Sequence, residues 1–172
     1  MSGSSSGLHR AMLGALIALP ALLAEAWPAA GADAPSAEAM RGEVARGIAA
    51  AERCAPQVWS TEDYASCIDG LIGTAATEDA AAAPFQLGVY CTAFRTSALA
   101  YRDWSRKPAS GPAAGADGGL LRENTLDHYD SCVFQAQRAK LEAHRICAAL
   151  GTNCAEFNQM LDRWKATTRA DE

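Results

Sequence analysis

Cys54-Ala-Pro-Gln-Val-Trp-Ser-Thr-Glu-Asp-Tyr-Ala-Ser-Cys67-Ile-Asp-Gly-Leu-Ile-Gly73, continuing to Val89-Tyr-Cys91, is the stretch that decides how this chain reads. It carries three of the six cysteines, a proline that stops one helix and a polar start for the next. Ser60-Thr-Glu-Asp63 is a capping-box-like opening, with Asp where Glu is preferred. Glu62 and Asp63 also suit the positive end of a helix dipole. Tyr64, Cys67, Ile68, Leu71 and Ile72 then recur as the apolar stripe of a helix. Gly70 and Gly73 interrupt it, each costing about 1 kcal/mol against Ala, and the expected reason is a neighbouring helix packed close against them.

Ahead of this stretch, Pro35 and Ser36 mark a helix start, and Met40, Val44, Ile48 and Ala51 lie on one helical face. Pro56 ends that segment. After it, Pro84 suits the first turn of a third helix, expected from Pro84 to Trp104. Tyr90, Phe94, Ser97, Ala98 and Tyr101 share a face of that helix, which reads as core in preference to a binding surface. Residues 105–119, rich in Gly, Pro and Ala, read as a mobile loop. A long fourth helix is expected over Leu120–Leu150, along Tyr129, Val133, Ala136, Ala139, Ala143, Ile146 and Leu150, with Gly151 as its stop. Asn153 opens a fifth, with apolar Phe157, Met160, Leu161 and Trp164, and Thr167–Glu172 are expected to fray. The fold class is therefore all-α, an antiparallel four- to five-helix bundle stapled by disulfides.

The N-terminus reads as an address. His9-Arg10 precede an apolar run from Ala11 to Ala24, and Ala-x-Ala sequences follow, the pattern of a secretory signal peptide over residues 1–34. The run contains Pro20, is followed by Glu25 and is short for a bilayer span, so no stable membrane insertion is expected after cleavage. Residues 35–172 then form a single helical domain, 138 of the 172 residues. Cleavage removes Arg10, Glu25 and Asp33 from the 15 basic and 20 acidic side chains, leaving a net charge of −4. An acidic chain argues against nucleic acid, whose binders carry a basic face.

Six cysteines in an exported chain read as disulfides. There is no Cys-x-x-Cys pair, so neither a zinc site, a thioredoxin-type motif nor covalent haem has ligands to rest on, and no metal or cofactor is expected. Fifteen connectivities are possible. Sequential pairing is plausible on geometry: Cys54 with Cys67 around the first turn, Cys147 with Cys154 around Gly151, and Cys91 with Cys132 between the third and fourth helices.

No catalytic centre stands out. His128 and His144 lie sixteen residues apart on the expected fourth helix, about 24 Å along its axis, too far to share a metal. The cluster Asp127-His128-Tyr129-Asp130 offers one hydrolytic alternative, in which His128 activates water beside a metal-binding carboxylate. A third reading is an envelope structural subunit without a soluble ligand.

The cysteine spacing, with Cys67-Ile-Asp-Gly-Leu-Ile-Gly73, Val89-Tyr-Cys91, the helix end Tyr101-Arg-Asp-Trp-Ser-Arg-Lys-Pro108 and the later Cys132, resembles the small periplasmic helical proteins that include type VI secretion amidase-immunity proteins. The resemblance covers Cys54 to Cys132, and this chain departs from the pattern in its Gly/Ala-rich loop and in the added Cys147–Cys154 pair. It implies a periplasmic or secreted disulfide-stapled domain that binds and blocks a cell-wall amidase, often as a homodimer. The partner-binding surface is expected at the loop and the helix end beside it, at Tyr101, Trp104, Arg106 and Lys107, because loops on a rigid scaffold commonly carry binding.

Overall fold

A computed structural model describes residues 37–73, 82–106, 116–141 and 145–170. The chain divides into two units, Met1–Ala34 and Pro35–Glu172, and every described residue belongs to the second. The signal-peptide expectation falls outside the described residues. The described chain is all-α: α1 Ala37–Glu52, a 3₁₀ turn Ala55–Gln57, α2 Thr61–Gly73, α3 Ala82–Arg106, α4 Gly118–Arg138, α5 Ile146–Ala149 and α6 Cys154–Ala170. No strand occurs among the described residues. No helix among them is long and apolar enough to cross a membrane.

The disulfides follow the sequential pairing: Cys54–Cys67, Cys91–Cys132 and Cys147–Cys154. Three such bonds suit an oxidising compartment. Cys91–Cys132 joins the middles of α3 and α4, whose Cα atoms approach to 4.6 Å there. Trp104 meets Gly118 at one end of the same pair of helices. At the other end Arg138 donates to the Gln86 side-chain oxygen at 3.2 Å. Contacts that climb one helix while descending the other make α3 and α4 an antiparallel hairpin.

α1 crosses α3 with almost no space between them. A Cβ on Gly47 would run into the carbonyl oxygen of Phe85, and one on Gly88 into that of Val44. Two glycines facing each other let the backbones approach as side chains would forbid, close enough for Cα–H···O contacts. The Arg46 guanidinium lies over the Phe85 ring, 5.7 Å from its centre, beside the crossing. The expected close approach at Gly70 and Gly73 is not there: nothing lies within 4 Å of either missing Cβ. Both glycines are on the exposed side of α2, which buries Tyr64 and Ile68 instead.

The aromatic stripe of α3 is core in its middle, at Phe94, Ser97 and Ala98, and half-buried at its ends, Tyr90 and Tyr101. Phe94 is fully buried and meets Tyr129 and Phe157 edge-on, at 5.5 and 6.1 Å between ring centres. Val44 and Leu87 join it, as do Leu161 and Trp164 of α6. Burying each such side chain contributes about 1.5–3 kcal/mol. A second apolar group gathers Ala51, Val58, Tyr64, Ile68, Val89 and Leu121.

Four boundaries differ from expectation. α4 stops at Arg138, twelve residues early, because Lys140 takes a left-handed φ of 54°. The Leu141 N–H then donates to Ala136 O at 2.8 Å and the Lys140 N–H to Gln137 O at 2.9 Å. That is the Schellman closure, here on a lysine instead of the usual glycine. Gly151 (φ 64°) closes α5 the same way, with Thr152 N–H donating to Cys147 O at 3.0 Å. The loop expected at 105–119 is shorter at both ends. Ser105 and Arg106 belong to α3, and Asp117 caps α4 by accepting from the Gly119 and Leu120 N–H groups at 2.8 and 3.2 Å. Residues 107–115 lie outside the described residues. At the far end α6 continues to Ala170, past the expected fraying point at Thr167. Its start is as expected, with Asn153 accepting from the Ala155 and Glu156 N–H groups at 3.0 and 3.3 Å.

Two stability measurements follow from this packing. In urea unfolding, Gly47→Ala or Gly88→Ala should cost about 3 kcal/mol or more, because the obstacle is backbone and no rotamer relieves it. Gly70→Ala should instead gain up to about 1 kcal/mol from helix propensity. A loss of that size at Gly70 would mean that a neighbour packs on the side of α2 described here as exposed. Replacing each cysteine pair by alanines should rank the disulfides by the loops they close. The chain-entropy estimate gives about 4 kcal/mol for Cys91–Cys132, about 3 for Cys54–Cys67 and about 2.5 for Cys147–Cys154, and a non-reducing peptide map should recover the same three links.

Candidate functional site

The cleft of interest is built where the end of α3 runs beside α6. Ala98, Arg102, Arg163 and Trp164 form a wall shared by two adjoining cavities. The larger, of about 280 Å³, extends past Leu99, Arg106, Glu156, Gln159 and Met160. The smaller, of about 130 Å³, is closed by Tyr101, Ser105, Arg122 and Thr167. Arg102 and Arg106 are one helical turn apart on α3, while Arg163 comes from α6 and Arg122 from the second turn of α4. Four arginines from three helices therefore meet at one end of a chain whose overall charge is −5. Glu156, on the rim of the larger cavity, is the opposing charge in the lining. The Arg102 Nε lies 3.3 Å from the Asp103 carboxylate, an exposed pair of small energetic value.

An aromatic set holds this wall in place. Tyr101 stacks on Trp104 at 6.0 Å and 22° and meets Trp164 edge-on at 5.5 Å. Trp164 is buried at 4% exposure. The Trp104 ring occupies the space that a side chain at position 118 would need, so Gly118 is what lets α4 start this close to α3.

The residues expected to meet a partner are thus split by the structure. Arg106 is exposed and lines the cleft. Tyr101 lines it too but is half-buried, with part of its ring given to packing. Trp104 is half-buried between Tyr101 and Gly118 and buttresses the cleft from behind. Lys107 lies outside the described residues. Arg102, Arg122 and Arg163 were not singled out from the sequence. The i, i+4 pair Arg102/Arg106 was the available signal, but its partners are 16 or more residues away and only the packing brings them together. Among the described residues no group of three His, Cys, Asp or Glu could hold a metal.

His128 is elsewhere and inside. It is 5% exposed, with its ring edge-on to Tyr64 at 5.5 Å. Burial lowers its pKa from 6.5 to about 4, and its Nδ1 has no hydrogen-bond partner. Tyr64 is itself fully buried, donates to Ala93 O at 3.3 Å and is pushed up to about 12 by burial. Asn124, one turn before His128, also leaves its side-chain nitrogen unpartnered. The imidazole is buried, whereas Asp127 and Asp130 beside it in sequence are exposed. His144 lies outside the described residues.

The lowered His128 pKa sets a pH dependence. The unfolded chain takes up this proton near pH 6.5 and the folded chain only near pH 4. Stability is therefore fully present above pH 6.5 and falls as the pH drops from 6.5 to 4, by about 3 kcal/mol in all. His128→Leu should remove that slope when unfolding free energy is measured across the window, and a slope that persists would place the titration on another group. No protein-family model matches this chain, and neither a curated protein nor a solved structure matches it.

Proposed function

We propose that the chain is exported to the periplasm, is cleaved after residue 34 and works as a protein-binding module of the inhibitor or immunity kind, holding a cell-wall amidase. The observation that carries this reading is the cleft between α3 and α6. It sits at the end of the molecule where a partner surface is expected, it includes Arg106 and Tyr101, and it stands on helices tied by disulfides. A scaffold that is already rigid loses little conformational freedom on binding, which is where a small binding module gains affinity. Arginine and aromatic side chains are also the residue types enriched at the centres of protein interfaces. The hydrolase alternative draws no support from His128, which is buried against Tyr64.

The test is affinity capture from envelope and secreted fractions with the oxidised chain from Pro35 as bait. A peptidoglycan amidase should be retained at near-equal stoichiometry, and added chain should inhibit its cleavage of peptidoglycan. Retention of no amidase, or an amidase that stays fully active in the complex, overturns the reading.

A further inference from the structure

We propose that a separate cavity, between the starts of α1 and α3 and the far end of α4, binds a medium-chain fatty acid, its alkyl chain inside and its carboxylate on Arg41. This goes beyond the protein-binding reading and does not depend on it, because this cavity shares no lining residue with the α3–α6 cleft.

Helix starts and turns build the cavity. Met40 lies in the first turn of α1 and Pro84 in the first turn of α3, so two helices begin at its edge. Lys140, in its left-handed conformation, turns the chain back at the end of α4, and Leu141 then lines a third side. That is where a Schellman closure commonly sets an apolar side chain against the helix it ends. The floor is core, with Val44 at 5% exposure and Leu87 fully buried.

Three observations define the ligand. The first is the lining. Seven of its eight side chains are apolar and the eighth is Arg41. One cation on an otherwise apolar cavity matches one anionic group with a hydrocarbon remainder. A sugar or a nucleotide would lose its hydrogen bonds to water there and find few replacements. Neither ion pair formed among the described residues uses Arg41, and no acidic residue lines the cavity.

The second is size. The volume is about 210 Å³. A dry apolar cavity of about 150 Å³ takes the six carbons of benzene, so this one suits an alkyl chain of about eight. The longer acyl chains of membrane phospholipids do not fit.

The third is the local field. The positive ends of α1 and α3 favour an anionic head at this edge. The end of α4 does little to oppose it, because the carbonyls of Gln135, Ala136 and Gln137 already accept from the Ala139, Leu141 and Lys140 N–H groups. Met40, 38% exposed at the rim, offers an adaptable apolar side chain to lie over the alkyl chain.

The test uses the oxidised full chain, ¹³C-labelled at its methionine methyl groups. Four signals are expected, from Met1, Met12, Met40 and Met160, with Met40→Leu identifying the one that matters. Sodium octanoate should shift the Met40 signal to saturation and leave Met160, in the α3–α6 cleft, in place. By calorimetry, affinity should rise about fourfold per methylene from hexanoate to octanoate, the worth of a buried CH₂, and level off by dodecanoate once the cavity is full. Octan-1-ol should bind about three- to fivefold more weakly than octanoate, the worth of an ion pair at an exposed rim. Arg41→Gln, at an exposed position, should bring octanoate down to the alcohol's affinity and leave the alcohol unchanged. Arg46→Gln, on α1 but outside the cavity, should alter neither.

Octanol bound as tightly as octanoate, indifference to Arg41→Gln, or a shift at Met160 without one at Met40 overturns the inference. Affinity that keeps climbing through dodecanoate, as on an open apolar surface, does the same. N-acetyl-Ala-Ala-Leu offers a terminal carboxylate beside one apolar side chain and should not displace octanoate. Its displacing octanoate at equal concentration would give the cavity to a protein C-terminus and overturn the fatty-acid assignment.

Discussion

The α3–α4 hairpin, pinned by Cys91–Cys132, is the constraint on which the rest depends. A disulfide at mid-helix sets the longitudinal register of two helices that bury several polar side chains. Gln86, Thr92 and Ser97 on α3 are buried, as are Asn124, Thr125, His128 and Gln135 on α4. Apolar seams choose their register by fitting shapes, whereas a polar one must match donors to acceptors or leave groups unpaired. Once Cys91 faces Cys132, Trp104 comes down on Gly118, Arg138 reaches Gln86, and Arg122 is carried to the side of α3 that bears Arg102. The cleft is a consequence of that register.

α3 is also the helix on which α1 and α6 rest, and they are held by different physics. α1 is held by backbone proximity at Gly47 and Gly88, where the absence of side chains is the requirement. α6 is held by rings, through Phe94 on Phe157 and Tyr101 on Trp164. The first contact tolerates no added atom. The second tolerates adjustment but must keep its aromatic volume. A small Ala-rich chain can afford both because its disulfides remove unfolded-state freedom that a larger core would otherwise have to outweigh.

Much of this architecture was legible in the sequence because it rests on local chemistry. Asn153 accepts from its own helix, the stripe Val44–Ile48–Ala51 turns inward although Met40 at its start is exposed, and Phe94, Ser97 and Ala98 are buried as their spacing predicts. What was not legible depends on partners far along the chain. A glycine inside a helix looks the same whether it faces a neighbour, as Gly47 does, or open space, as Gly70 does. Lys140 ends α4 in a conformation that most residues avoid, at a cost of about 1–2 kcal/mol, and nothing in its local sequence marks it. The arginines of the cleft each read as the polar face of a separate helix, and only the folded hairpin shows that three such faces share one space.

The buried polar groups of α3 and α4 divide into those with partners and two nitrogens without. Ser97 and Thr125 return their hydroxyls to their own helices, at 2.9 Å to Ala93 O and 2.7 Å to Leu121 O, and so ask nothing of the opposite helix. Arg138 meets the oxygens of both Gln86 and Gln135. That leaves Asn124 and His128, one turn apart, whose side-chain nitrogens face the interior without acceptors. Each costs about 1–3 kcal/mol of desolvation. The Cys91–Cys132 bond fixes how α3 and α4 meet, and with its pKa lowered by burial the imidazole stays neutral, which keeps the cost at that of a dipole instead of a charge.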